Sequence, residues 1–150
     1  MTATASGVVA EGGPRPRRLL AAADPGAVLV WTSLIYGPGR PPREHERAAT
    51  DPAAAFPTDE PRCPAQVDDL AIALVELCGA DLAGVAGHLH VAGPGGVSRG
   101  EPAAVVAGHP VRGKPAPRGR PLDGRLDSSA ARGLLSTRLR GVHEVLAAPR

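Results

Sequence analysis

Arg62-Cys-Pro-Ala-Gln-Val-Asp-Asp-Leu-Ala71 decides how this chain folds. A proline and a pair of carboxylates precede an apolar run, which is how the start of an amphipathic helix reads. Val67, Leu70, Ala71, Leu74, Leu77 and Cys78 recur at three- and four-residue spacing and predict one apolar stripe over 67–78. Asp68 is the expected N-cap, because its carboxylate suits the free N–H groups and the positive end of a helix. Gly79 can take the left-handed conformation that ends it.

Working outward, two apolar runs flank this helix. Residues 27–32, Ala-Val-Leu-Val-Trp-Thr, form a continuous β-branched run closed by Tyr36-Gly37-Pro38-Gly39. A strand buried on both faces of a parallel sheet reads this way. Residues 88–92, His-Leu-His-Val-Ala, give a second short strand. Strand, helix, strand predicts a βαβ unit with adjacent parallel strands. Elsewhere, 17–23 has helical tendency, 40–59 reads as a Pro- and charge-rich loop, and 108–121 reads as low-complexity linker. Helical tendency returns at 98–107, delayed by Pro102, and at 130–135, capped by Ser128 or Ser129. A last short helix is expected over 141–148.

Composition bounds the class. The 150 residues suffice for one domain, but the 43% apolar content is mostly Ala and Val, and Trp31, Tyr36 and Phe56 are the only aromatics. Aromatics contribute the largest buried areas, so the core is expected to be thin. There are 19 glycines and 17 prolines, near the load at which composition begins to favour disorder. A net charge of +2 with scattered arginines and a single lysine, Lys114, gives no nucleic-acid stripe, and no aromatics interleave to stack bases. No apolar run is long enough for a membrane span or a signal peptide. Cys63 and Cys78 fit neither a disulfide framework nor a zinc site, so reduced thiols and a cytoplasmic location are expected.

Several motifs are weighed and set aside. Gly108-x-x-x-x-Gly113-Lys114 copies part of a phosphate-binding P-loop, but Pro115 replaces the metal-binding hydroxyl and Pro117 bars the helix. His88 and His90 share one face of a strand, a spacing open to a metal pair, yet sequence places no third ligand; ordinary hydrogen bonding is the expectation, with no metal site. Asp68 and Asp69 diverge by about 100° on a helix and cannot share a proton, so capping and a solvated face account for them. Ser33 has no base nearby and no nucleophile elbow around it.

The order of these pieces carries a resemblance. Thr32-Ser-Leu-Ile-Tyr36-Gly37-Pro38, then Val67-Asp-Asp-Leu-Ala71, then Leu89-His-Val-Ala-Gly93-Pro94 resembles the later half of extended short-chain dehydrogenases. It is most similar to the dTDP-4-dehydrorhamnose reductase and sugar-nucleotide reductase branch. The likeness runs from about residue 21 to 146, strongest at 27–37, 58–77 and 89–98. Arg120-Pro-Leu-Asp and Leu126-Asp-Ser-Ser129 add a weaker match. The resemblance implies an α/β fold, a partial Rossmann-like parallel sheet plus a small, loop-rich substrate-binding portion. Residues 25–37 and 66–93 would be the sheet remnant, 40–65 and 94–148 the substrate portion, and 1–24 a weakly structured segment.

By the same resemblance the activity would be NADH- or NADPH-dependent reduction of a ketosugar carried on a nucleoside diphosphate, dTDP in this branch. Ser33, Tyr36, Cys63, Pro64, Gln66 and Arg120 would face the substrate. Tyr36 would be a turn residue lining the site, not the catalytic tyrosine. Tyr36 and Arg40 cannot act as the family's Tyr-x-x-x-Lys pair, since Gly37, Pro38 and Gly39 prevent a helix and arginine is not lysine in this role. The glycine-rich phosphate loop is absent, Pro14-Arg-Pro-Arg-Arg-Leu-Leu20 stands where the catalytic helix belongs, and Trp31 stands where the family carries arginine. The expectation is a truncated reductase, inactive alone, with no catalytic residues and no bound NAD(P)H. The alternatives are a non-catalytic nucleotide-sugar-binding module, or a subunit that self-associates or pairs with a separate N-terminal chain. An unrelated small α/β scaffold is the third.

Overall fold

Three short parallel strand pairs and four helices make up the computed structural model, which describes residues 27–37, 50–82, 84–85, 87–119 and 121–146. The expected helix at 17–23 and Arg120 lie outside the described residues. In chain order the elements are β1 (Leu29–Trp31), β2 (Ile35–Tyr36), β3 (Ala55–Pro57), β4 (Ala65–Gln66), α1 (Val67–Gly79), β5 (His88–His90), α2 (Gly100–Ala107), β6 (Arg112–Lys114), α3 (Ser129–Leu134) and α4 (Val142–Leu146).

The expected unit is present. β1 and β5 pair in parallel, with Leu29 opposite His88, Val30 opposite Leu89 and Trp31 opposite His90, and α1 lies between them in sequence. Each strand is shorter than its apolar run. The ladder nevertheless extends past both ends, since Leu29 N donates to Gly87 O and Val91 N to Trp31 O. Leu89 and Val91 join Leu70, Ala73, Leu77, Ala131 and Leu139 in the main core, with Val30 and Leu74 packed against it. A separate small cluster surrounds Phe56 and Ala103. Trp31 is the aromatic left partly outside, 37% exposed.

Helix α1 corrects the sequence reading in three respects. Its buried face is Asp69, Leu70, Ala73 and Leu77, while Ala71 and Cys78 are exposed. The helix is rotated because Asp69 is drawn inward by Arg140, whose guanidinium reaches the carboxylate at 2.7–3.1 Å and whose backbone N donates to it at 2.9 Å. The cap is Gln66, not Asp68: its Oε1 accepts from Asp69 N at 2.6 Å, and its Nε2 donates to Asp68 Oδ2 at 2.8 Å. Asp68 thus braces the capping amide. Gly79 stays within the helix without a positive φ, and extended Ala80 ends it.

The two stretches read as loop and linker contain a strand each. β3 and β6 pair in parallel, Phe56 opposite Gly113. Gly113 is needed there, because a Cβ would lie 2.7 Å from Thr58 Cγ2. Gly108 is the left-handed C-cap of α2, at φ 74°, and Gly113 lies within strand β6, so the two glycines do not belong to one phosphate loop. Helix α2 begins at Gly100, with Pro102 tolerated in its first turn and Glu101 Oε1 accepting from Ser98 N at 2.6 Å. Ser128 precedes α3 without capping it; its hydroxyl instead accepts from Ala92 N at 3.1 Å.

Two outcomes are expected of this architecture. Gln66→Ala should cost about 0.5–2 kcal/mol, the range for losing an N-cap, and Asp68→Ala only a fraction of that, measured by urea unfolding. The acid side of stability should depend on Asp69 and Glu76. Burial opposes the charge on Asp69, but the hydrogen bonds from Arg140 outweigh it and hold the carboxyl below its ordinary value. The Thr137 hydroxyl, with the Ser136 and Thr137 N–H groups, holds Glu76 at about 2. Both folded values are depressed, so this stabilisation is complete above the unfolded carboxyl range and is lost as pH falls toward about 2. Urea midpoints should fall steeply between pH 5 and 2, and Asp69→Asn with Glu76→Gln should flatten that slope.

Candidate functional site

In open α/β sheets, ligands gather outside the carboxyl ends of the strands. Here those ends are the Thr32–Tyr36 stretch after β1 and the 91–94 stretch after β5. Parallel pairing of β2 with β4 sets Ile35 opposite Ala65 and Tyr36 opposite Gln66, which brings the Tyr-Gly turn against the start of α1. The close approach is enforced by glycines. A Cβ on Gly37 would meet Val67 Cγ1 at 2.8 Å, and φ there is +134°. A Cβ on Gly93 would meet the Pro64 carbonyl oxygen at 2.0 Å. No other residue fits at Gly93 without parting the two segments.

Beside this crossing lies a cleft lined by Leu34, Tyr36, Pro64, Ser98, Arg99 and Val142, among others, with a cavity of about 40 Å³. That space admits a few water-sized groups, enough for one end of a ligand. Its walls come from β2, the Pro64 turn, the start of α2, and α4. Tyr36 is buried, and its hydroxyl has no hydrogen-bond partner. Burial pushes the phenol up to about 12, with the Asp69 charge adding to the shift. Tyr36 is therefore a neutral donor held in an apolar wall. A buried hydroxyl without a partner is costly, and a ligand acceptor would relieve that cost. Thr32 Oγ1, just after β1, is a second buried hydroxyl without a partner.

Of the six residues singled out by sequence, Tyr36 and Pro64 line the cleft. Ser33 is half-buried between β1 and β2. Gln66 is buried and spent on the helix cap. Cys63 is buried, a free thiol whose Sγ accepts from Leu126 N at 3.3 Å, and so fastens the 126–128 segment. Sequence reasoning missed Ser98 and Arg99. The Ser98-x-x-Glu101 spacing was a legible helix-start signal; nothing in the sequence marked Arg99. It also missed Arg62, which bonds Glu60 and the carbonyls of Pro121 and Leu122 and leaves no room for a Cβ at Gly124.

A dinucleotide cofactor needs a vacant, glycine-lined helix N-terminus for its pyrophosphate. Among the described residues, the two longer helices offer none. The start of α1 holds Asp68, Asp69 and the Gln66 amide, and the start of α2 holds the Glu101 carboxylate. Carboxylates in both positions repel phosphate. The described residues do not fit a complete dinucleotide, and they include no group of three or more His, Cys, Asp or Glu able to hold a metal ion.

No protein-family model and no curated protein matches the sequence. Solved structures do match. A hypothetical dTDP-4-dehydrorhamnose reductase from Sulfolobus tokodaii is 27% identical, with a TM-score of 0.59 over 82% of this chain and 48% of that one. A dTDP-4-dehydrorhamnose reductase ortholog from Clostridium acetobutylicum is 19% identical, with a TM-score of 0.66 over 97% of this chain and 58% of that one. MoeE5, solved with UDP-glucuronic acid and NAD, is 22% identical, with a TM-score of 0.61 over 81% of this chain and 44% of that one. The chain spans about half the length of these structures, and over that half it has the Rossmann-like α/β fold of dTDP-4-dehydrorhamnose reductases and related nucleotide-sugar enzymes.

Proposed function

We propose that this chain supplies the later, substrate-side half of a reductase of this type and binds a nucleoside-diphosphate sugar without transferring hydride by itself. The observation that carries the reading is the cleft at the β2–β4 pairing, where the buried Tyr36 hydroxyl has no partner and Arg99 stands at the same wall. A neutral phenol donates to a sugar hydroxyl or carbonyl oxygen, and a guanidinium attracts the diphosphate. Solved structures with this fold hold UDP-glucose or UDP-glucuronic acid together with NAD, which supports a sugar nucleotide as the ligand class. The order of the Tyr-Gly turn, the Val-Asp-Asp-Leu-Ala helix and the Ala-Gly-Pro crossing favours the dTDP branch.

In this reading the chain's own residues bind and orient. Tyr36 and Pro64 form the wall against the sugar, with Ser33 at its edge. Gln66 and Cys63 fix the backbone on which that wall stands. Among the described residues, none is assigned the part of the acid that protonates a carbonyl oxygen as hydride arrives. Tyr36, with its phenol pushed up to about 12, is a poor proton relay near neutral pH. NADPH or NADH, when held by a complete fold, supplies the hydride.

Titration calorimetry of the purified chain tests this. dTDP-glucose should bind, and Tyr36→Phe should weaken it about 2- to 12-fold, the value of one neutral hydrogen bond. Arg99→Ala should weaken it further and remove most of its salt dependence. NADPH should give no heat, and no oxidation should follow with a dTDP-ketosugar. Tight NADPH binding, or dTDP-glucose affinity indifferent to both substitutions, would contradict the proposal.

A further inference from the structure

Strand β5 turns Leu89 into the core and His88 and His90 to the opposite face, where His88 is exposed and His90 half-buried. Their ring centroids are 5.7 Å apart. With metal–nitrogen bonds of about 2.0–2.1 Å, two imidazoles on one ion hold their ring centres roughly 4.5–6.4 Å apart, and the observed separation falls inside that range. The second observation is a hydrogen bond of the His90 ring. His90 Nδ1 lies 3.2 Å from the Asp127 carbonyl oxygen, which can only accept, so Nδ1 carries the proton and the Nε2 lone pair is left for a ligand. This is the arrangement that orients metal-binding histidines, with the far nitrogen donating to a backbone carbonyl. We propose that His88 and His90 form a two-imidazole chelate for a borderline transition-metal dication, Zn2+, Ni2+ or Cu2+, on the solvent face of β5.

Among the described residues no third protein ligand joins them, so water completes the coordination shell. Imidazole donors without thiolate or carboxylate select copper, nickel and zinc over magnesium and calcium. The expected order of affinity is Cu2+ first, with Ni2+ and Zn2+ below it.

The chain contains its own reporter. Trp31 is the single tryptophan, it is partly exposed, and it stands opposite His90 in the β1–β5 register. Cu2+ and Ni2+ quench indole fluorescence at short range, whereas Zn2+ does not. Titrating the full chain with CuCl2 should quench Trp31 saturably, and added EDTA should restore the emission. His88→Gln, at an exposed position, should weaken Cu2+ about tenfold or more with unchanged emission in metal-free buffer. His90→Gln should do the same, while His109→Gln, whose ring lies by the Pro110 carbonyl, should leave the titration unaltered. Equal quenching in wild type, His88→Gln and His90→Gln would overturn the proposal.

Discussion

The Asp69 carboxylate held by Arg140 is the constraint on which the rest of this molecule depends. Seventy-one residues separate the partners, yet both carboxylate oxygens are satisfied by the guanidinium and the Arg140 backbone N–H. Charge-assisted, two-pronged contacts of this kind fix direction as well as distance. The contact turns α1 about its axis, sets Leu70, Ala73 and Leu77 toward β5, and pins the 138–141 segment that leads into α4. Glu76, about two turns further on, repeats the device by accepting from Ser136 and Thr137. Two carboxylates of one helix therefore hold the C-terminal segment against the sheet. With so few aromatics to bury, directional polar contacts carry positioning that a larger core would otherwise supply.

The cleft follows from the same crossing. A Cβ on Gly93 would lie 2.0 Å from the Pro64 carbonyl oxygen and 3.4 Å from the Arg140 carbonyl oxygen. The end of β5, the turn before β4 and the segment after α3 thus meet at one residue too small to hold them apart. Val142 and Leu146 of α4 then reach the wall formed by Tyr36 and Pro64. Asp69 also acts on the cleft electrically, since its charge, after burial, raises the Tyr36 phenol. A helix-anchoring carboxylate and the buried Tyr36 hydroxyl beside the cleft are parts of one arrangement.

Much of the frame was legible in the sequence. The runs before Tyr36 and around Leu89 read as parallel strands because continuous apolar, β-branched stretches do, and the helix between them read from its spacing. The rotation of that helix did not, because periodicity treats aspartate as surface and cannot see a guanidinium seventy-one positions away. The β3–β6 pair was hidden for a different reason. Its six residues include Pro57 and Gly113, which local propensity assigns to loops, and only the tertiary pairing makes them strands. Of the residues lining the cleft, Tyr36 and Pro64 stand in a motif the sequence displays. Gln66 stands in it as well but is spent on the helix cap, and Arg99 carried no local signal.

The central claim is that the fold's substrate face is built at the β2–β4 crossing. Backbone amide chemical-shift mapping of the isotope-labelled chain during addition of dTDP-glucose tests it most directly. The account requires perturbations concentrated at Leu34 to Gly37, Ala65, Ser98 to Ala103 and Val142, with the β3–β6 pair and the outer face of α1 silent. Perturbations confined to β3 and β6, or a spectrum that does not change at millimolar ligand, would contradict it.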